Sequence, residues 1–132
     1  MHLEIYADGA SSGNPGPAAI GVIIKNEKSQ KLTEISQYLG LTTNNQAEYQ
    51  AVIAALKAAI KFKAVQVTLY LDSELIVRQF AGEYRVKNPS LRKLYLEAQR
   101  LGRSFKNLTI NHITHQQNKD AHGLAKAALK RF

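Results

Sequence analysis

Two stretches of this chain end alike: Ile5-Tyr6-Ala7-Asp8 and Leu69-Tyr70-Leu71-Asp72. Read as strands, each places its Asp on the same face as a Tyr and opposite the aliphatic residues. Asp72 stands where a strand hands over to a helix, a common location for sites in open α/β sheets. Asp8 is followed by Gly9, where the chain is expected to turn sharply. A third carboxylate, Glu48, lies just past the first turn of an alanine-rich helix. Around it runs Thr42-Thr-Asn-Asn-Gln-Ala-Glu-Tyr49, polar and otherwise uncharged. Two chemistries compete for these residues. A lone Asp at a strand end commonly caps the following helix, and Glu48 could be a solvated helix residue. If the three converge, they repel one another and raise each other's pKa. Such a cluster makes sense where hard divalent cations neutralise it. Spacing alone does not decide between the two.

The elements that must carry these residues are legible in outline. Leu3, Ile5 and Ala7 alternate with polar neighbours, which predicts a first strand. Gly9 to Pro17 is a dense turn cluster. Strands are expected over Ala18–Lys25 and Lys31–Leu39, giving an antiparallel meander. Residues 44–61 are helical, with Ala47, Ala51, Ala54, Ala55, Ala58 and Ala59 at three- and four-residue spacing. That stripe implies close packing against the sheet. Thr43 and Gln46 have capping-box spacing at its start. Then come a strand over Val65–Leu71, a short helix over Glu74–Ala81 capped by Ser73, and a basic loop over Gly82–Pro89. Ser90 is expected to cap a helix to Leu101 that Gly102 stops. Leu108–Ile113 is the last strand, His115–Lys119 a polar loop, and Asp120–Lys130 a final helix. The expected order is β-β-β-α-β-α-α-β-α.

Composition narrows the classes. A chain of 132 residues fits one domain and can bury a core unaided. The absence of cysteine removes disulfides, thiolate zinc sites and cysteine nucleophiles. No apolar run approaches the ~20 residues of a membrane span, and the N-terminus lacks the basic start of a signal peptide. No membrane partner is expected, and a reducing, cytoplasmic setting is. The charge is one-sided. Residues 1–72 hold six basic and six acidic residues, whereas residues 73–132 hold twelve and four, so the net charge of +8 lies in the second part. A one-sided basic surface suits a polyanion such as nucleic acid, though a merely solubilising surface has the same composition.

Four segments, in order and with compatible spacing, carry a family resemblance. Tyr6-Ala-Asp-Gly-Ala-Ser-Ser-Gly-Asn-Pro-Gly16, Thr43-Asn-Asn-Gln-Ala-Glu48 and Leu71-Asp-Ser73 resemble the signature motifs of type 1 ribonuclease H. Gln117-Asn-Lys-Asp-Ala-His-Gly-Leu-Ala125 is similar to that family's C-terminal motif. Val77 to Asn88 resembles the compact subgroup, which lacks a long basic protrusion. The resemblance implies a mixed five-stranded sheet of order 3-2-1-4-5, with strands 1–3 antiparallel and flanking helices. It implies metal-dependent hydrolysis of the RNA strand of RNA–DNA hybrids, leaving 5′-phosphate and 3′-hydroxyl ends. By motif position Asp8 would bridge two Mg²⁺ or Mn²⁺ ions, with Glu48 and Asp72 as further ligands. One ion would activate water and the other would stabilise the leaving oxygen.

One position departs from the family. Its C-terminal motif usually ends in an Asp that serves as fourth acidic ligand, and His122 stands there instead. Asp120 lies two residues away, roughly 200° around a helix, and cannot simply substitute. Imidazole suits Mn²⁺ better than Mg²⁺, so His122 could bind a metal weakly, hold a water or shuttle a proton. A binding module for hybrid or double-stranded RNA, with reduced or lost catalysis, is the alternative this position raises. His115 matches a loop position near the family's active site, as a proton relay or product-release residue, or it is an exposed loop histidine. His112 is expected to be structural. For substrate, the resemblance implies minor-groove contacts from Gly9, Ala10, Ser11, Gly13, Asn14 and Asn45, where small residues let the backbone approach. It implies a DNA-phosphate pocket at Thr43 and Asn44, and a 2′-hydroxyl acceptor at Glu74. Arg85, Lys87, Arg92 and Lys93 are candidates for backbone contacts or simply a solvated basic face. A monomer is expected.

Overall fold

A computed structural model describes residues 1–131. Its strands are β1 (His2–Ser11), β2 (Gly16–Asn26), β3 (Lys31–Thr42), β4 (Gln66–Leu71) and β5 (Asn107–His112). Its helices are α1 (Asn44–Lys61), α2 (Glu74–Phe80), α3 (Pro89–Gly102) and α4 (Lys119–Lys130), with a 3₁₀ turn at Gln116–Asn118. The strands form one sheet in the order β3-β2-β1-β4-β5. β1 pairs antiparallel with β2 and parallel with β4, β2 antiparallel with β3, and β4 parallel with β5. The expected sheet is therefore observed.

Alternation decides which residues form the core. Leu3, Ile5 and Ala7 of β1, and Val67, Leu69 and Leu71 of β4, are wholly buried with α1 on their face of the sheet. Ala47, Ala51, Ala55 and Ala59 repeat every fourth residue and are likewise wholly buried, so α1 packs closely against the strands and α3. α4 covers the opposite face over β1, β2 and β3. It rests on the sheet where Gly21 has no side chain, since a Cβ there would lie 2.0 Å from the Ala121 carbonyl oxygen.

Several boundaries differ from expectation. β1 continues through Gly9 and Ala10 to Ser11, paired with Ala18–Ile20, so the turn is confined to residues 12–15. Backbone hydrogen bonding to β2 outweighs the turn propensity of the glycine and serines. β3 likewise extends to Thr42. Ser90 does not cap α3; the Asn88 side chain does, accepting from the Leu91 N–H at 3.0 Å. Pro89 then fills the first helical position, where its missing N–H and fixed φ cost nothing. Gly102 is the last residue of α3, not a stop after it, and α4 begins at Lys119.

Candidate active site

The parallel register of β1 and β4 builds the first half of the site. Tyr6 and Tyr70 are paired residues, their rings stacked 4.7 Å apart at 19°. Asp8 and Asp72 each lie two residues beyond that pair, so Asp8, still within β1, stands beside Asp72, which follows directly on the end of β4. Glu48 arrives from the other side. Gly9 lets the first turn of α1 lie directly on β1, where a Cβ would meet the Ala47 carbonyl group at 2.3 Å. The Gly9 N–H then donates to Glu48 Oε1 at 2.7 Å. Thr43 secures that turn with a complete capping box with Gln46. Asn44 donates its N–H to Asn14 Oδ1 at 3.0 Å, tying the β1–β2 turn to the same helix start.

The three carboxylates offer oxygens that all lie within 4.8 Å of one another. Asp8 is 4% exposed and Glu48 3%, and Glu48 Oε2 has no hydrogen-bond partner. Burial, with Asp72 beside it, pushes the Asp8 pKa above the ordinary carboxylate value; the hydrogen bond from His122 opposes this. Glu48 is pushed well above its ordinary value, first by burial and then by Asp8. Such a cluster lacks positive charge. Its hard oxygen donors and the unpartnered buried Glu48 oxygen fit a divalent cation, and Asp8, Glu48, Asp72 and the neighbouring His122 are the residues that would hold it.

Both histidines reach the cluster. His122 Nδ1 lies 2.8 Å from Asp8 Oδ2, and His115 Nδ1 lies 3.2 Å from Asp72 Oδ2. Asp8, Gly9, Ala10, Ser11, Asn44, Glu48, Asp72, Ser73, His115 and His122 line one cleft of about 450 Å³. Asn14, Thr43 and Asn45 instead line an adjoining cleft of about 410 Å³ with Gln46, Asn88, Ser90 and Leu91. Thr43 and Asn44 thus face different clefts, and Gly13 lines neither. Glu74 points elsewhere, with Oε1 3.3 Å from Arg78 Nε and Oε2 4.0 Å from His112 Nδ1. Arg85, Lys87, Arg92 and Lys93 are all exposed.

A family described as reverse transcriptase-like matches residues 6–128 of this chain. A ribonuclease H of Helicobacter acinonychis is 34% identical over 142 aligned positions, spanning 100% of this chain and 96% of that protein. The chain belongs to the type 1 ribonuclease H family. The crystal structure of an RNase H1 from Halobacterium salinarum superposes with a TM-score of 0.97 at 38% identity, covering all of both chains. That of LC11-RNase H1 in complex with RNA/DNA hybrid does so with a TM-score of 0.93 at 42% identity, covering 98% of this chain and 97% of the other. A bifunctional protein of Mycobacterium tuberculosis is 40% identical over 130 residues, and the chain spans 36% of its length.

Within this ribonuclease H fold one supporting residue was given no role of its own in the sequence, beyond standing in the C-terminal motif. Asn118 is 1% exposed and its Nδ2 donates to the Ala7 carbonyl oxygen at 2.9 Å. That bond ties the start of α4 to the residue before Asp8, and so sets His122 beside it. A buried Asn between polar neighbours has no periodicity to betray it; only its place in the C-terminal motif marked it.

Proposed function

We propose that the chain is a metal-dependent endonuclease that hydrolyses the RNA strand of RNA–DNA hybrids, leaving 5′-phosphate and 3′-hydroxyl ends. The convergence of Asp8, Glu48 and Asp72 in one cleft of a ribonuclease H-family chain carries this reading. Two bound Mg²⁺ or Mn²⁺ ions would supply an activated water and charge stabilisation at the leaving 3′-oxygen. Asp8 faces both other carboxylates and His122, which suits it to bridge the ions. Gly9 holds Glu48 through Oε1, which leaves the buried Oε2 without a partner among the crowded carboxylates. His122 fixes the orientation of Asp8, and His115 stands exposed beside Asp72, where a proton can pass to and from solvent. Ala10, Ser11 and Asn44, at the rim, can meet the sugar edge of the hybrid. Asn14, Thr43 and Asn45 in the adjoining cleft offer polar contacts to the DNA strand. The chain acts as a monomer in the cytoplasm on this reading.

One observation favours a second reading. The hydrogen bond between His122 and Asp8 occupies an oxygen that a metal would need, which suits a module that binds hybrid or double-stranded RNA and cleaves poorly. A labelled-substrate panel with Mg²⁺ and Mn²⁺ in parallel separates the two. Hybrid cleavage by the wild type, abolished in Asp8→Asn with the fold intact, is the expected result. A folded Asp8→Asn protein that cleaves at the wild-type rate would sink the mechanism.

A further inference from the structure

The last helix does more than bring His122 to Asp8. Ala121, Ala125 and Ala128 of α4 are wholly buried against the sheet. That seating sets His122, Lys126 and Lys130, at four-residue spacing, along one flank of the helix. Both lysines are exposed, and neither forms an ion pair among the described residues. With Ser12, Pro17 and Leu129 they line a cleft of about 320 Å³ in which no carboxylate stands among the described residues. The cleft on the other flank of α4 mixes Lys25, Lys31 and Lys119 with Glu34 and Asp120. Unbalanced positive charge is thus confined to the flank that leads away from Asp8. Ser11 lines the active-site cleft and Ser12 the lysine cleft, so the two adjoin at the β1–β2 turn.

The spacing and the surroundings fit one strand of a duplex. Four helical residues rise about 6 Å, so the row steps away from His122 at close to the separation of successive phosphates. Pro17 and Leu129 add apolar surface beside the cations, against which the sugar edge of a strand can lie. α1 and α4 lie on opposite faces of the sheet, so the cleft of Asn14, Thr43 and Asn45 flanks the carboxylates from the other side. A duplex whose RNA strand crosses Asp8 and whose DNA strand meets that cleft brings its RNA strand toward α4. We propose that Lys126 and Lys130 form a phosphate track that holds the RNA strand of a hybrid on one side of the bond to be cut. The track rests on the hybrid being the substrate. Lysine ammonium groups act here as point charges without base contacts, so the track is indifferent to sequence and sensitive to salt.

The test reads binding and cleavage separately. Hybrid affinity is measured by fluorescence anisotropy in chelator across a salt series, with circular dichroism to verify folding. Lys126→Gln and Lys130→Gln should each weaken binding at low salt by about tenfold, and the double variant by about a hundredfold. The log–log salt slope of the double variant should be shallower by about two, over and above any share of the Arg85–Lys93 face. Lys126→Arg with Lys130→Arg should restore binding. Lys63→Gln with Lys106→Gln removes the same charge from exposed residues at the opposite end of β4, and should change affinity by about twofold or less. For cleavage, a short run of ribonucleotides in one strand fixes where the cut falls. Neutral methylphosphonate linkages then replace phosphates on either side of it, or in the opposite strand. The single-turnover penalty of the double Gln variant should vanish with neutral linkages on one side in the cut strand, and persist with the other placements. A double Gln variant no weaker than the Lys63/Lys106 control overturns the track, as does a penalty that vanishes only with neutral linkages in the DNA strand. Lysine-dependent binding by a wild type that cleaves no hybrid supports the track and refutes the hydrolytic reading alone.

Discussion

Replacing Glu48 by Gln should make the metal-free protein more stable while destroying its activity. Gln keeps an acceptor for the Gly9 N–H, so the 2.7 Å hydrogen bond survives. It exchanges the unpartnered oxygen for an NH₂ donor that can face Asp8, and it removes one of three crowded charges. Two unit charges at the 4.8 Å limit of this cluster repel by about 3 kcal/mol at an effective dielectric of about 20. Glu48 escapes part of that by taking up a proton, so the gain at pH 7.5 is about 1–3 kcal/mol. For a domain of this size that is a rise of about 3–15 °C in melting temperature. The pH dependence has a definite sign. The folded pKa of Glu48 is raised, so the folded state binds more protons than the unfolded one above the ordinary value of 4.5. Wild-type stability therefore falls as pH rises from there through the folded pKa. The advantage of Glu48→Gln should vanish at pH 4, where both states carry the proton. Saturating Mn²⁺ should narrow the gap at pH 7.5, because the ion stabilises the wild type preferentially. Thermal melts in chelator and in Mn²⁺, at both pH values, measure all of this. A variant no more stable than wild type in chelator at pH 7.5, or an advantage that persists at pH 4, refutes the reasoning.

Three further outcomes are expected. His122→Asp should keep the fold and raise single-turnover cleavage at subsaturating Mg²⁺ by about tenfold, since it restores a hard anionic donor; superimposable Mg²⁺ titrations would remove residue 122 from the metal site. Gly9→Ala should cost about 3 kcal/mol or more and lower cleavage, because the new methyl meets Ala47 backbone that cannot swing aside; an unchanged melting temperature would contradict the close approach. Hybrid affinity of the Asp8→Asn variant should fall with salt at a log–log slope of about −3 to −4 if Arg85, Lys87, Arg92 and Lys93 each meet a phosphate; a flat response excludes them.

What could be read from the sequence was what is encoded locally. The matched Tyr-x-Asp endings predicted a shared face, and the parallel register of β1 and β4 turns that into adjacency. The Thr43–Gln46 box and the alanine stripe of α1 were equally local and equally legible. The convergence of Glu48 on Asp8 was not, since it depends on α1 descending onto Gly9. Turn propensity misled there: Gly9 is needed for what packs against it, while its own backbone stays in the strand. The pairing of Ser90 with the helix start failed for a related reason. Pro89 prefers the first helical position, which moves the cap back to Asn88. The placement of His115 and His122 over the carboxylates depended on long-range contacts, among them Asn118 against Ala7 and Gly21 beneath Ala121.

The departure at residue 122 has an electrostatic consequence that follows from counting. Four carboxylates would balance two divalent cations. With two such ions, Asp8, Glu48 and Asp72 would leave one positive charge uncompensated beside a neutral His122. A second cation would then be the more weakly held, because its neighbours supply less negative charge to offset its repulsion from the first. A fully loaded centre, by contrast, would present excess positive charge to a phosphodiester whose transition state accumulates negative charge. The substitution thus shifts the difficulty from the chemical step to metal loading. This is why the effect of His122→Asp should lie in the Mg²⁺ concentration needed for half-maximal cleavage, and why the maximal single-turnover rate at saturating metal should change much less.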